Sequence, residues 1–246
     1  MATNSFLSSL TGSLCLAVAL TACSAPPPPR AIPQSANPSA VIAAEMAFNR
    51  LAQDKGQWTA FRETATRDAM MFVPEPVKAQ EWLKGRADPA SSVRWQPHRA
   101  FMACDGKTGV TTGAWQRPDG STGYFTTIWQ WQPKSKAPEN QVSGVLGNGD
   151  WKWVLDHGDA MNTPLPSPEM IDTKTASCKG KPGALLMAPP EGAQMKVGFS
   201  FDQTLQWTWI VPADNSRTLE IKLWNGTDFD VVRFDSVVAP GAPAAR

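Results

Sequence analysis

The side chains able to move protons or attack a carbon are few in this chain, and they are scattered. Only two histidines occur in 246 residues, His98 and His157. His98 follows Pro97 in a stretch of strand character and is a candidate general acid or base if it faces an interior cavity; the alternative is a surface or packing residue. His157 adjoins Asp156, but neighbours on a strand point to opposite faces, so the pair is no ready dyad and a structural role is favoured. Tyr124 is the single tyrosine. A phenol aimed into an apolar cavity can stabilise an oxyanion; the alternative is a hydroxyl at the rim of a sheet. No Gly-rich phosphate loop, GxSxG or HExxH is present. A Ser or Cys nucleophile needs a base beside it, and two imidazoles are all that is on offer. The cysteine spacings match no metal pattern, so zinc is not expected, and no motif calls for a cofactor.

Charge excludes another class. Lys and Arg number 23 against 22 Asp and Glu, without a basic run. A nucleic-acid binder needs a concentrated positive patch, so no nucleic-acid partner is expected.

The elements that must position these residues are strands. Val93 to Asp159 holds Trp95, Trp115, Trp129, Trp131, Trp151 and Trp153. From Phe125 to Gln132 large apolar residues alternate with polar ones, and Trp151, Trp153 and Leu155 alternate with Lys152 and Asp156. Period two predicts a sheet with one aromatic face and one wetter face. Arg117-Pro118-Asp119-Gly120 and Gly147-Asn148-Gly149-Asp150 supply turn residues. The predicted strands are 93–104, 108–117, 122–132 and 151–156. Eleven tryptophans form either core or a stacking platform for a flat ligand. Trp129 and Trp131, which share a face with Phe125, are the best cavity candidates. Together with Tyr124 they make the predicted ligand-binding set: Tyr124, Phe125, Trp129 and Trp131.

Ahead of the strands the pattern is helical. Asn37-Pro38 offers a cap and a proline for the first turn. Val41, Ala44, Phe48 and Leu51 recur at helical spacing, and Gly56 ends the helix. A second helix starts near Trp58, and a third spans Val77 to Leu83. Between them Asp68 to Val73 is a short apolar run closed by Pro74.

The N-terminus gives an address. Leu14 to Leu20 is apolar but far short of the ~20 residues that span a bilayer. It ends in Leu20-Thr21-Ala22-Cys23, which resembles a bacterial lipobox, in which the cysteine is lipidated after cleavage. Met1 to Phe6 departs from the pattern in lacking Lys and Arg. The resemblance implies a signal peptide over 1–22, lipidation at Cys23 and, with Ser24 next, the periplasmic face of the outer membrane; the alternative is an ordinary cleaved signal peptide, cut after an Ala-rich site. The membrane is then a partner through the anchor. Residues 23–37 are Pro-rich and read as an extended tether. Cys104 and Cys178 remain as an even pair in an oxidising compartment, which predicts a disulfide; two separate buried thiols are the alternative.

Helices followed by a long sheet bring a family resemblance. Ala44-Glu45-Met46-Ala47-Phe48, Gly56-Gln57-Trp58-Thr59-Ala60-Phe61, Ala65-Thr66-Arg67-Asp68-Ala69, Asp105-Gly106, Thr112-Gly113-Ala114-Trp115, Gly123 to Trp129 and Trp151 to Asp156 together resemble the SnoaL-like branch of the nuclear transport factor 2-like superfamily over residues 38–159. The resemblance implies an α+β cone in which a curved antiparallel sheet wraps helices around a cavity. It also makes Asp68 a candidate base near the cavity mouth, with helix capping as the alternative. Members include enzymes and ligand binders, so the fold does not choose between them.

Beyond Asp159 the texture changes. Residues 160–195 read as a Pro/Gly-rich connector and 196–238 as a small all-β extension, with a loose tail over 239–246. Leu205 to Val211 and Leu219 to Leu223 alternate, and Asn225-Gly226 predicts a two-residue hairpin turn with positive φ at both positions. The extension is too small to stand alone and should pack on the first domain. The expected function is a lipid-anchored envelope protein that binds a small apolar ligand or an envelope protein without catalysis, a second copy of the chain being a further candidate partner. One rival is an isomerase or hydrolase using Asp68 or His98 as general base. The other is a structural envelope factor docking through its C-terminal extension.

Overall fold

A computed structural model describes Met1 and residues 36–134, 148–183 and 187–241. The expected signal peptide beyond Met1, Cys23, the expected tether to residue 35, and residues 135–147, 184–186 and 242–246 lie outside the described residues. The expected α+β class is observed, with a seven-stranded mixed sheet and a four-stranded antiparallel sheet.

Helix α1 (Ser39–Lys55) begins as its cap residues dictate: Asn37 Oδ1 accepts from the Ser39 amide at 3.0 Å. Gly56, with φ of 109°, ends it and donates to Ala52 O. The buried stripe is Val41, Glu45, Phe48 and Ala52. Helix α2 (Gln57–Thr64) follows at once and leads into strand β1 (Ala65–Phe72). Residues 77–83 are not one helix: Val77 belongs to strand β2 (Pro76–Lys78), and α3 is only Ala79–Leu83. Pairing of Val77 with Met71 of β1 wins over local helix preference there.

The strands β3 (Arg94–Met102), β4 (Thr108–Gln116), β5 (Thr122–Pro133) and β6 (Gly149–Met161) form an antiparallel meander. The sheet is nevertheless mixed, which corrects the expectation of a wholly antiparallel one. β1 lies parallel to β6, and β7 (Asp172–Thr175) lies parallel to β3. The connector is therefore partly sheet. Its end is held again by a disulfide between Cys104 and Cys178, with Cα atoms 5.3 Å apart.

The second sheet has the order β11 (Phe229–Val237), β10 (Arg217–Trp224), β9 (Leu205–Val211) and β8 (Gln194–Phe199). It covers the face of the first sheet opposite the helices. Leu205, Trp207, Trp209, Leu219, Ile221 and Leu223 pack there with Phe101, Val110, Ile128 and Leu155. The face expected to be wetter is thus a second core, and Thr112 and Thr126 are buried in it. The β10–β11 hairpin forms, but its turn is longer than two residues. Trp224 pairs with Phe229, and Asn225 Oδ1 accepts from the Thr227 and Asp228 amides. Only Gly226 of the Asn-Gly pair has positive φ, because the asparagine side chain stands in for a backbone carbonyl. Both sheets belong to one compact unit, Ile32–Arg246.

Candidate functional site

A cavity of about 430 Å³ lies between α1, α2 and the first sheet. Phe48, Trp58, Phe61, Trp95 and Phe125 wall it, which is the apolar lining a small-molecule site requires. The rings meet edge to face: Phe48 with Phe61 and with Trp95 at 4.8 Å, and Trp58 with Phe61 at 5.6 Å.

Glu45 and Asp156 bring carboxyl groups to this apolar space, and the chain builds them differently. Glu45 occupies the buried stripe of α1, one turn from Val41 and from Phe48. Its oxygens are fully engaged. Trp95 Nε1 donates to Oε1 at 2.6 Å, while Thr111 Oγ1 at 2.5 Å and Trp129 Nε1 at 3.0 Å donate to Oε2. Burial pushes its carboxyl above the ordinary 4.5, against the pull of those donors.

Asp156 arrives by a register change. Ile128 pairs with Leu155 and Trp129 with Trp153, which leaves Val154 as an extra residue in β6. The bulge reverses the facing of everything after it. Trp153 points to the helices, Leu155 to the second sheet, and Asp156 back to the helices and the cavity. Its row across the sheet is Thr111, Thr127, Asp156 and Met71. The Asp156 carboxyl makes no hydrogen bond to the described residues. Burial, and then the nearby Glu45 charge, push its carboxyl well above 3.8 toward the neutral acid. A carboxylic acid held neutral in an apolar chamber is a hydrogen-bond donor to a carbonyl or ether oxygen.

Beyond Phe72, β1 turns into Val73, Pro74 and β2 while β6 continues. The cavity extends along this edge to Tyr124, His157, Asp159 and Arg217. Gly158 permits the approach of β6 here, since a Cβ would stand 2.4 Å from Tyr124 O. His157 and Asp235 face each other between the sheets, Nδ1 to Oδ2 at 3.3 Å, in a poorly aligned contact. Thr126 Oγ1 donates to the same Asp235 oxygen at 2.8 Å. Arg217 Nε donates to His157 Nε2 at 3.3 Å. Burial holds the imidazole below its usual 6.5 despite Asp235, so it stands neutral between an acceptor and a donor.

Of the sequence candidates, Tyr124 and Phe125 line the cavity, while Trp129 and Trp131 do not. Trp129 is buried behind it as a donor to Glu45, and Trp131 stacks edge to face on Trp151 at 5.8 Å. Asp68 lies exposed on β1, neither capping a helix nor lining the cavity, because the run it begins is a strand. His98 is the extra residue of a bulge between Pro97 and Arg99, also outside the lining; its Nε2 is buried without a partner among the described residues, and burial lowers its affinity for a proton. Glu45 and Asp156 were the residues overlooked as functional. Glu45 had a signal, an acid in the apolar stripe of a helix. Asp156 had none, since the bulge that aims it is not encoded in the alternation. No protein-family model matches this chain, and no curated protein matches it either.

Proposed function

We propose that the chain is a lipid-anchored envelope protein whose helix-and-sheet body, a cone of the SnoaL-like kind, holds a small apolar ligand without turning it over. The supporting observation is the aromatic cavity with the Asp156 carboxyl left free of hydrogen bonds to the described residues. Glu45 is consumed by three donors and so serves the wall rather than the ligand. An apolar ring or chain fills the space between Phe48, Phe61 and Phe125, and a neutral oxygen on it accepts from Asp156. A general-base mechanism through Asp68 or His98 gains no support, since neither side chain lines the cavity. The anchor at Cys23 and the tether keep this body at the periplasmic face of the outer membrane.

The reading is tested with N-phenyl-1-naphthylamine, a neutral fluorescent probe. Trp58, Trp95 and Trp115 line the cavity and transfer excitation to a naphthyl group bound there. Saturable sensitised emission, weakened by filling the cavity with Val93→Trp, supports it. Emission that never saturates, or that ignores the filled cavity, counts against it.

A further inference from the structure

We propose that the ligand carries a single negative charge, seated on Arg217 where β1 and β6 part; this rests on the reading of the cavity as a ligand site. Arg217 opens β10 and sends its guanidinium between the sheets, with the residue only 6% exposed. Its partners are a neutral imidazole and a carbonyl: Nε to His157 Nε2 at 3.3 Å and Nη2 to Gly158 O at 2.7 Å. No carboxylate among the described residues stands within salt-bridge distance of it, and Nη1 has no partner among them. Buried charges are ordinarily paired, because an uncompensated one is costly. Asp235, between the sheets, faces His157 and Arg233 Nη2 instead, and Asp159 acts on Arg217 only through its charge, outside salt-bridge distance. Arg217 instead borders the cavity. Tyr124 lines the same end, and its hydroxyl also lacks a partner among the described residues.

The remaining charges set the valence. Asp159 lines this end beside Arg217 without pairing with it, and Arg117 lies over Trp115, 4.7 Å from the ring. Two guanidiniums, Arg217 and Arg117, stand against Asp159 here, and Glu45 and Asp156 add carboxyls elsewhere in the lining. A monoanionic head, a carboxylate or sulfonate on an apolar body, meets Arg217, whereas these carboxyls oppose a dianion. A guanidinium offers such a head a charge-assisted hydrogen bond from Nη1, and the body extends along the aromatic walls toward Asp156.

The test compares two probes with one skeleton, 8-anilinonaphthalene-1-sulfonate and neutral N-phenyl-1-naphthylamine, on the full chain in zwitterionic nanodiscs with empty nanodiscs subtracted. The sulfonate should bind at least tenfold tighter. Arg217→Met should erase that preference, and Arg217→Lys, which keeps the charge, should retain part of it. Dodecanoate should displace the sulfonate better than dodecanol does. Equal affinities in the parent protein overturn the anion assignment and leave the apolar-ligand reading standing. Saturable binding of neither probe overturns both. If Arg217→Met does not fold, the parent preference and the lysine variant decide.

Discussion

Trp129 Nε1 donates to Glu45 Oε2 across 3.0 Å, although 84 residues separate them in sequence. With Trp95 and Thr111 it makes one carboxyl the meeting point of α1, β3, β4 and β5. Removing that carboxyl strands the Trp95 indole and the Thr111 hydroxyl, while Trp129 Nε1 keeps Thr111 Oγ1 as an acceptor at 3.0 Å, and each orphaned buried group costs about 1–3 kcal/mol. Glu45→Ala should therefore destabilise the fold by roughly 2 kcal/mol or more in denaturant titration, on that count of two donors. A loss under about 1 kcal/mol would mean that the carboxyl does not organise the wall.

Asp156 gives a pH signature. Its folded carboxyl is raised above the ordinary 3.8 by burial and then by Glu45. A raised folded value means that its contribution to stability is fully present below the unfolded value and is lost as pH rises through the folded one. Asp156→Asn mimics the neutral acid and escapes this loss. The variant should melt close to the parent near pH 4 and above it at pH 8, by calorimetry at both values. A variant less stable than the parent at pH 8 would show that the carboxylate is favoured in the fold.

How much of this was legible follows from the range of each signal. Helix α1 was readable because its cap, its stripe and Gly56 are local. The strands β3 to β6 were readable because period two and turn residues are local too. Asp156 was not, because one inserted residue, Val154, reverses a facing that alternation alone assigns the other way. The parallel pairings of β1 with β6 and β7 with β3 join segments far apart in sequence, with no turn chemistry to announce them. Glu45 was visible as an acid on an apolar stripe, but its donors come from three strands.

The Cys104–Cys178 bridge closes a loop with a sequence separation of 74. Chain entropy puts its contribution at up to about 4 kcal/mol. Reduction, or paired serine substitutions, should lower the melting temperature. A digest of the unreduced protein should yield one disulfide-linked pair of peptides. Two free thiols in protein taken from the envelope would refute the link in vivo.

Cys23 lies outside the described residues, and its lipidation is tested chemically. Cys23→Ser should abolish labelling by a fatty-acid probe and shift the protein out of the detergent phase. Continued labelling would remove the lipobox from the account.

The central claim is that the space between α1, α2 and the first sheet holds a ligand. A crystal structure grown with the neutral naphthylamine probe tests it most directly. The account predicts electron density between Phe48, Phe61 and Phe125, within reach of Asp156. An empty cavity with the probe bound elsewhere, or Phe61 and Trp95 collapsed into the space, would contradict it.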